Sequence, residues 1–242
     1  MTASDDGTAR ARKTLVETIE REVAETAGLT GRAELDPRVL SALERVPRHK
    51  FVAGPQRLFA YENRPLPIGH GQTISQPYMV AVMSDLAEIV PGAKVLEVGT
   101  GCGYQAAILA ELGGEVTSLE LVPELAEQTA KRLAEMGYGN IAVHQGDGSL
   151  GWLAGAPFDA IVVTAAAFRR VPPALIEQLA PGGRLIVPVE HDQRRVRFFR
   201  QRPEQELLLI TKDPVGKTSE RSILPVAFVP LIEAASGSKI IK

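Results

Sequence analysis

The apolar positions follow two regimes along the chain. In the first third they recur every three or four residues, the spacing of one helix face. Leu15, Ile19 and Val23 predict an amphipathic helix over residues 10–27. Val39, Leu40, Leu43 and Val46 form a second stripe, opened by Asp36-Pro37 and closed by Pro47. An aspartate N-cap followed by proline at the first helical position is a strong helix start. Residues 79–90 read as a third helix, broken by Pro91-Gly92. Residues 48–78 show neither period and are rich in Pro, Gly and single polar residues, which predicts an ordered loop region. From residue 93 short apolar runs alternate with helical stretches. Strands are expected at 94–98, 115–120, 141–145, 158–164 and 184–189, and helices at 104–112, 123–136 and 172–180. Such alternation implies a parallel sheet with helices on both faces. After Pro188 the helices stop, and residues 205–212 and 222–231 read as antiparallel strands added at the sheet edge.

The fold class is therefore α/β: a doubly wound, mostly parallel, Rossmann-like sheet with an N-terminal helical extension and a modified antiparallel C-terminal edge. Residues 1–78 are expected to supply helices and a capping loop, and residues 79–242 the sheet, within one compact unit. The 242 residues, 45% of them hydrophobic, suffice for one sizeable core. The net charge of −2 asks for neither nucleic acid nor an anionic membrane as partner. The single cysteine, Cys102, permits no intrachain disulfide and fits a reducing compartment. The polar start lacks a signal peptide's apolar core, and no apolar run is long enough to span a bilayer. A soluble, cytoplasmic, monomeric protein is expected. His49, His70, His144 and His191 have no metal-ligand spacing, so no metal is expected.

The stretch Lys94-Val-Leu-Glu-Val-Gly-Thr-Gly-Cys-Gly-Tyr104 carries the most chemistry. It reads as a buried strand, a turn with glycine at every second position, and the start of a helix. Glycines allow positive φ and close approach of a ligand. Such a turn at the carboxyl edge of a sheet is where nucleotide-like cofactors bind. The dinucleotide fingerprint fails, because Tyr104 stands where its third small residue is needed. The phosphate-binding P-loop fails as well, for want of Gly-Lys-Ser/Thr. Glu97, just before the first glycine, would repel phosphate but suits a cationic amino-acid cofactor such as S-adenosylmethionine (SAM). Taken alone, the turn also fits a plain strand-to-helix connection.

Two further acids stand at strand ends. Glu120 ends the second strand of the alternating region, placed to take two ribose hydroxyls as paired hydrogen bonds. Asp147 ends the third and is placed for an adenine amino group. One acid at a strand end is commonplace; three at consecutive ends, two beside glycines, are far more specific. Ahead of the sheet, Arg64-Pro-Leu-Pro-Ile-Gly-His-Gly-Gln-Thr-Ile-Ser-Gln-Pro-Tyr78 suits either a rigid connector or a lid over the cofactor.

Pro65–Tyr78, Val95–Ala107, Gly146–Ser149, Phe158–Ala167, Pro181–Val189 and Val226–Leu231 form a set of motifs. On them, between about Val46 and Leu231, the chain resembles the protein-L-isoaspartate O-methyltransferases. Thr-Ile-Ser-Gln-Pro and Val-Thr-Ala-Ala-Ala are the specific parts; many SAM methyltransferases share the glycine motif. The resemblance implies repair of damaged proteins and peptides. The donor is S-adenosyl-L-methionine, its product S-adenosyl-L-homocysteine, and the acceptor the α-carboxylate of an L-isoaspartyl, or D-aspartyl, residue. By motif match Ser75 is the active-site serine. Gln72, Thr73, Ser75, Glu97, Gly99, Thr100, Gly101, Gly103, Glu120, Leu121, Asp147 and Gly148 are the expected cofactor set. Ile74, Thr164, Ala165, Ala166 and Ala167 are expected near the acceptor.

Cys102 and Glu190 depart from the family pattern, which commonly has serine and glycine there. The segment 190–204, with Arg194, Arg195, Arg197, Arg200 and Arg202 beside Phe198 and Phe199, suits a solvated hairpin better than a patch for acidic peptides. A relative that methylates an aspartate of one dedicated peptide in natural-product maturation would need the same core. A catalytically silent cofactor-binding regulator is disfavoured by Ser75, and a dehydrogenase by Tyr104.

Overall fold

The computed structural model describes residues 3–191 and 205–233. Most of the basic segment at 190–204 lies outside the described residues. Helix α1 spans Ala3–Thr30 and ends at Gly31, whose φ of +71° turns the chain while its N–H bonds Ala27 O at 2.9 Å. Helix α2, Pro37–Arg45, is capped by the Asp36 side chain, which accepts from Arg38 N. A 3₁₀ turn over Arg48–Lys50 follows. The aperiodic region then forms a second 3₁₀ turn, Gly54–Phe59, and a small antiparallel hairpin of β1 (Leu66–Gly69) and β2 (Gln72–Ile74). The hairpin departs from the expected loop, since strands of four and three residues, with Pro67 inside one, show no alternation. Helix α3 covers Pro77–Leu86, shorter than expected, because Glu88 turns to a φ of +48°.

The expected alternation follows. Strands β3 (Lys94–Val98), β4 (Glu115–Glu120), β5 (Ile141–Gln145) and β6 (Phe158–Val163) alternate with α4 (Tyr104–Glu111) and α5 (Pro123–Glu135). Then come the two-residue β7 (Ala167–Phe168), α6 (Pro173–Glu177), β8 (Leu179–Glu190), β9 (Gln205–Lys212) and β10 (Thr218–Val226). Helix α6 is shorter than expected because Leu179 already pairs with Phe158 in the sheet. Strand β10 stops at Val226 rather than at 231. There Phe228 N leaves the ladder for the Gln205 side chain, and Pro230 has no N–H to offer.

The strand order is β10-β9-β8-β6-β3-β4-β5, with β7 beside β8. Strands β8, β6, β3, β4 and β5 are parallel, while β9 and β10 run antiparallel. Side chains alternate between two cores, as a sheet buried on both faces requires. Val95, Val162, Ile186 and Leu209 join the core under α1–α4, while Leu96, Val163, Val187 and Ile210 join the core under α6. The first core also holds Leu15, Ile19 and Val23 of α1, so the N-terminal helices share the sheet's interior. Arg221 of β10 donates to Thr30 O at the end of α1.

Ile19 is fully buried in that shared core. Ile19→Ala is expected to lower the unfolding free energy by about 2–5 kcal/mol. Trp152, the chain's one tryptophan, packs against the other core. Its fluorescence should report the same shifted denaturation midpoint as far-UV circular dichroism. A fluorescence midpoint that stays put would mean that the helices unfold apart from the sheet.

Candidate active site

Strand β3 lies between β4 and β6, so the chain leaves it toward one side and returns on the other. The loops after β3 and β6 therefore part at the carboxyl edge and open a cleft there. The glycine loop, residues 99–103, forms one wall. Gly99 has a φ of +94°, and a Cβ there would lie 2.5 Å from Thr164 Oγ1. Thr164 Oγ1 instead donates to Gly99 O at 2.6 Å, and its N–H to Val98 O at 2.9 Å. These bonds lock the end of β6 to the glycine loop. From the other side Thr129 Oγ1 of α5 donates to Gly101 O at 2.7 Å.

Glu120 ends β4 beneath this loop and is 6% exposed. Its Oε2 accepts from Gly101 N at 2.7 Å, and its Oε1 from Val122 N at 2.9 Å. Each carboxylate oxygen keeps further acceptor capacity, and the two backbone donors fix its direction. Glu120, Gly99, Gly101, Leu121, Gly148, Thr164 and Ala165 line one cleft, which Gln72 and Thr73 of the β1–β2 hairpin cover. Ile74 and Ser75 line a smaller cavity between the hairpin and the glycine loop, together with Thr73, Thr100 and Thr164. Ala166 lines a wider cavity of about 780 Å³ that shares Gln72 with the cleft. Leu150, Phe168 and Arg170 also line it, with Leu150 67% and Phe168 55% exposed.

A model of the protein-L-isoaspartate(D-aspartate) O-methyltransferase family matches residues 29–236. The chain belongs to this family. It is 54% identical over 229 residues to protein-L-isoaspartate O-methyltransferase 2 of Syntrophobacter fumaroxidans, covering 95% of this chain and 89% of the relative. It is 55% identical to the enzyme of Gloeobacter violaceus over 193 residues, 80% of this chain and 89% of the relative. A solved protein-L-isoaspartate O-methyltransferase superposes with a TM-score of 0.74 at 26% identity, over 90% of this chain and 65% of that one. A Plasmodium falciparum protein assigned to the family, crystallised with S-adenosyl-L-homocysteine, gives a TM-score of 0.70 at 25% identity over 91% and 98%.

Four of the expected family positions line none of these three cavities. Gly103 lies behind the loop, where a Cβ would meet Thr129 Cγ2 at 2.6 Å. Ala167 is buried in β7, paired with Val189. Asp147 caps a 3₁₀ turn, accepting from Ser149 N and Oγ at 2.9 and 2.7 Å, while its neighbour Gly148 reaches the cleft. Glu97 is fully buried and accepts from Ser118 Oγ. Ser118 has one proton and gives it to Glu97, so Thr100 Oγ1 must donate to Ser118 Oγ, at 2.5 Å. Glu97 thus supports the glycine loop from behind through two hydroxyls. Sequence reasoning misses one wall altogether. Val229, Pro230, Leu231 and Ile232 line both the cleft and the wider cavity. Ala166 N bonds Val229 O, and Leu231 N bonds Ala166 O, each at 2.8 Å. The Val226–Leu231 motif is the available signal, but its apolar run reads as a continuing edge strand.

Burial pushes the pKa of the Glu97 carboxyl up to about 8, against the partial relief of its bond from Ser118. Between its ordinary value of 4.5 and about 8, the folded protein holds a proton that the unfolded chain has released. This group's contribution is therefore complete below 4.5 and is lost as pH rises toward 8. Glu97→Gln is neutral throughout. In the cofactor-free protein it should flatten the fall of melting temperature between those pH values, and an unchanged slope would show that Glu97 titrates normally.

Proposed function

We propose that this enzyme methylates the α-carboxylate of L-isoaspartyl residues in damaged proteins, with Ser75 orienting the acceptor and Glu120 holding the cofactor ribose. Membership of the family carries the activity and the choice of cofactor. The observation that carries the site assignment is the pre-aimed Glu120 carboxylate, fixed by two backbone N–H groups at the floor of the cleft. It fits a ligand with paired hydroxyl donors. The glycine loop beside it lets a ligand approach the backbone closely.

S-adenosyl-L-methionine, when bound, supplies a methyl group made electrophilic by its positively charged sulfur. The chain's own task is light. A main-chain-type carboxyl has a pKa of about 3.5, so the acceptor is ionised at neutral pH and needs no general base. Ser75 Oγ donates one hydrogen bond to that carboxylate and sets its angle of approach. Ile74 and the wall at 229–232 keep water from the reacting centre. The wider cavity past Ala166 takes the polypeptide on either side of the damaged residue. Glu97 and Asp147 act indirectly, by holding the glycine loop and Gly148 in place. The reading needs neither nucleic acid nor membrane as partner, and no helix among the described residues is long and apolar enough to cross a membrane. A monomer in the cytoplasm suits this role, in line with the lone, buried thiol of Cys102.

A peptide containing L-isoaspartate should accept methyl groups while its normal L-aspartyl twin should not. In isoaspartate the methylene has moved into the backbone, which leaves an α-carboxylate on a short arm. Comparable rates on the two peptides would favour the reading with one dedicated aspartyl substrate.

Ser75→Ala should lower kcat on the isoaspartyl peptide by about 10–100-fold while SAM affinity is largely kept. This is below the 10²–10³-fold typical of oxyanion donors, because negative charge on the acceptor is consumed rather than created. Wild-type turnover at saturating SAM would reduce Ser75 to a loop hydroxyl.

A further inference from the structure

Arg48 heads the largest fully buried side chains, with 0% exposure. Among the described residues no carboxylate pairs with it. Its Nη2 donates to Ser75 O at 2.8 Å and, more weakly, to Arg64 O at 3.4 Å. Its Nε and Nη1 have no hydrogen-bond partner among the described residues. The guanidinium lies 4.9 Å from the centroid of the Tyr104 ring, which Phe51 meets edge-on. Burial lowers the Arg48 pKa, yet a guanidinium stays charged.

Stability alone does not account for this arrangement. A buried charge without a counter-charge is costly, and an apolar side chain of similar volume commonly packs as well or better. What the guanidinium does provide is a bridge. Ser75 belongs to the segment that follows the β1–β2 hairpin, and Tyr104 opens α4 directly after the glycine loop. Ser75 and Tyr104 line the same small cavity, with Thr73 and Gly101. Arg48 touches both from outside that cavity. It is therefore the side chain that ties the backbone of Ser75 to the glycine-loop side of the site. Other ties on this segment lie further along it: Gln76 Nε2 donates to Glu22 Oε1 at 3.3 Å, Thr26 Oγ1 bonds Tyr78 OH at 2.6 Å, and Tyr78 N donates to Asn63 Oδ1 at 3.0 Å. Those bonds act one and three residues later, and none of them reaches the Ser75 carbonyl.

We propose that Arg48 is a positioning residue for methyl transfer: by holding the Ser75 carbonyl against the Tyr104 ring, it sets where the Ser75 hydroxyl meets the acceptor. The inference rests on the role given to Ser75 above. A displaced hydroxyl would still leave cofactor bound beside Glu120, but would present the carboxylate off line. Misplacement of this kind costs rate rather than cofactor affinity.

The test is a double-mutant cycle in the full-length enzyme, with Arg48→Met and Ser75→Ala, alone and together. It reads kcat on an L-isoaspartyl peptide at saturating SAM, SAM affinity by calorimetry, and melting temperature. Arg48→Met should lower kcat by about 10–100-fold, change SAM affinity far less, and have little further effect once Ser75 is alanine. Arg48→Lys, which keeps a donor for the Ser75 carbonyl, should recover part of the rate, and it carries the same cycle if the methionine variant does not fold. Independent, multiplicative losses in the double mutant would overturn the proposal, as would wild-type kcat in both Arg48 variants. Wild-type kcat in Ser75→Ala would instead reject the role of Ser75 itself.

Discussion

The site depends on where β3 sits in the sheet. Its backbone is paired on both sides, to β4 along Lys94–Val98 and to β6 along Val95–Val98. The chain cannot leave a strand so fixed except at its carboxyl end, and there it must climb away from the loop that follows β6. The gap between those loops is a property of strand order, and any sequence that built this order would have it. What this sequence adds is the lining. Glycines let one loop bend flat over Glu120, and Thr164 stitches the two loops together just beneath the gap. Catalytic demands are small because the acceptor arrives ionised, so most of the structure's effort goes into shape and exclusion of water.

The three acids at consecutive strand ends illustrate how one kind of group takes different work from its surroundings. Glu120 has both oxygens satisfied by backbone amides and still faces the cleft. Glu97, one strand over, points into the core, where burial raises its pKa, and its Oε1 has no hydrogen-bond partner among the described residues. Asp147 spends its carboxylate on the turn that presents Gly148. Strand alternation explains the difference for Glu97, which shares its side of β3 with Val95, toward the helices.

This is also where the sequence is and is not sufficient. The alternating strands and helices from Lys94 to Glu135 are legible almost to the residue, because each strand is short, apolar and bounded by glycine or a cap. The family motifs locate the glycine loop, Glu120 and the Ser75 segment. Pattern fails wherever a residue's partner is distant in sequence. The β1–β2 hairpin has too few residues to display a period. The departure of the chain after Val226 is set by the side chain of Gln205 and by Ala166, neither of which its own neighbours reveal. Arg48, in a segment that reads as polar loop, gives no sign of its burial.

The wall at Val229–Ile232 makes the two halves of the site share one moving part. A single segment, pinned on Ala166 by two backbone bonds, borders both the cleft and the wider cavity. Whatever occupies one space leans on the same four residues as whatever occupies the other. A displacement of this segment therefore reshapes both spaces together.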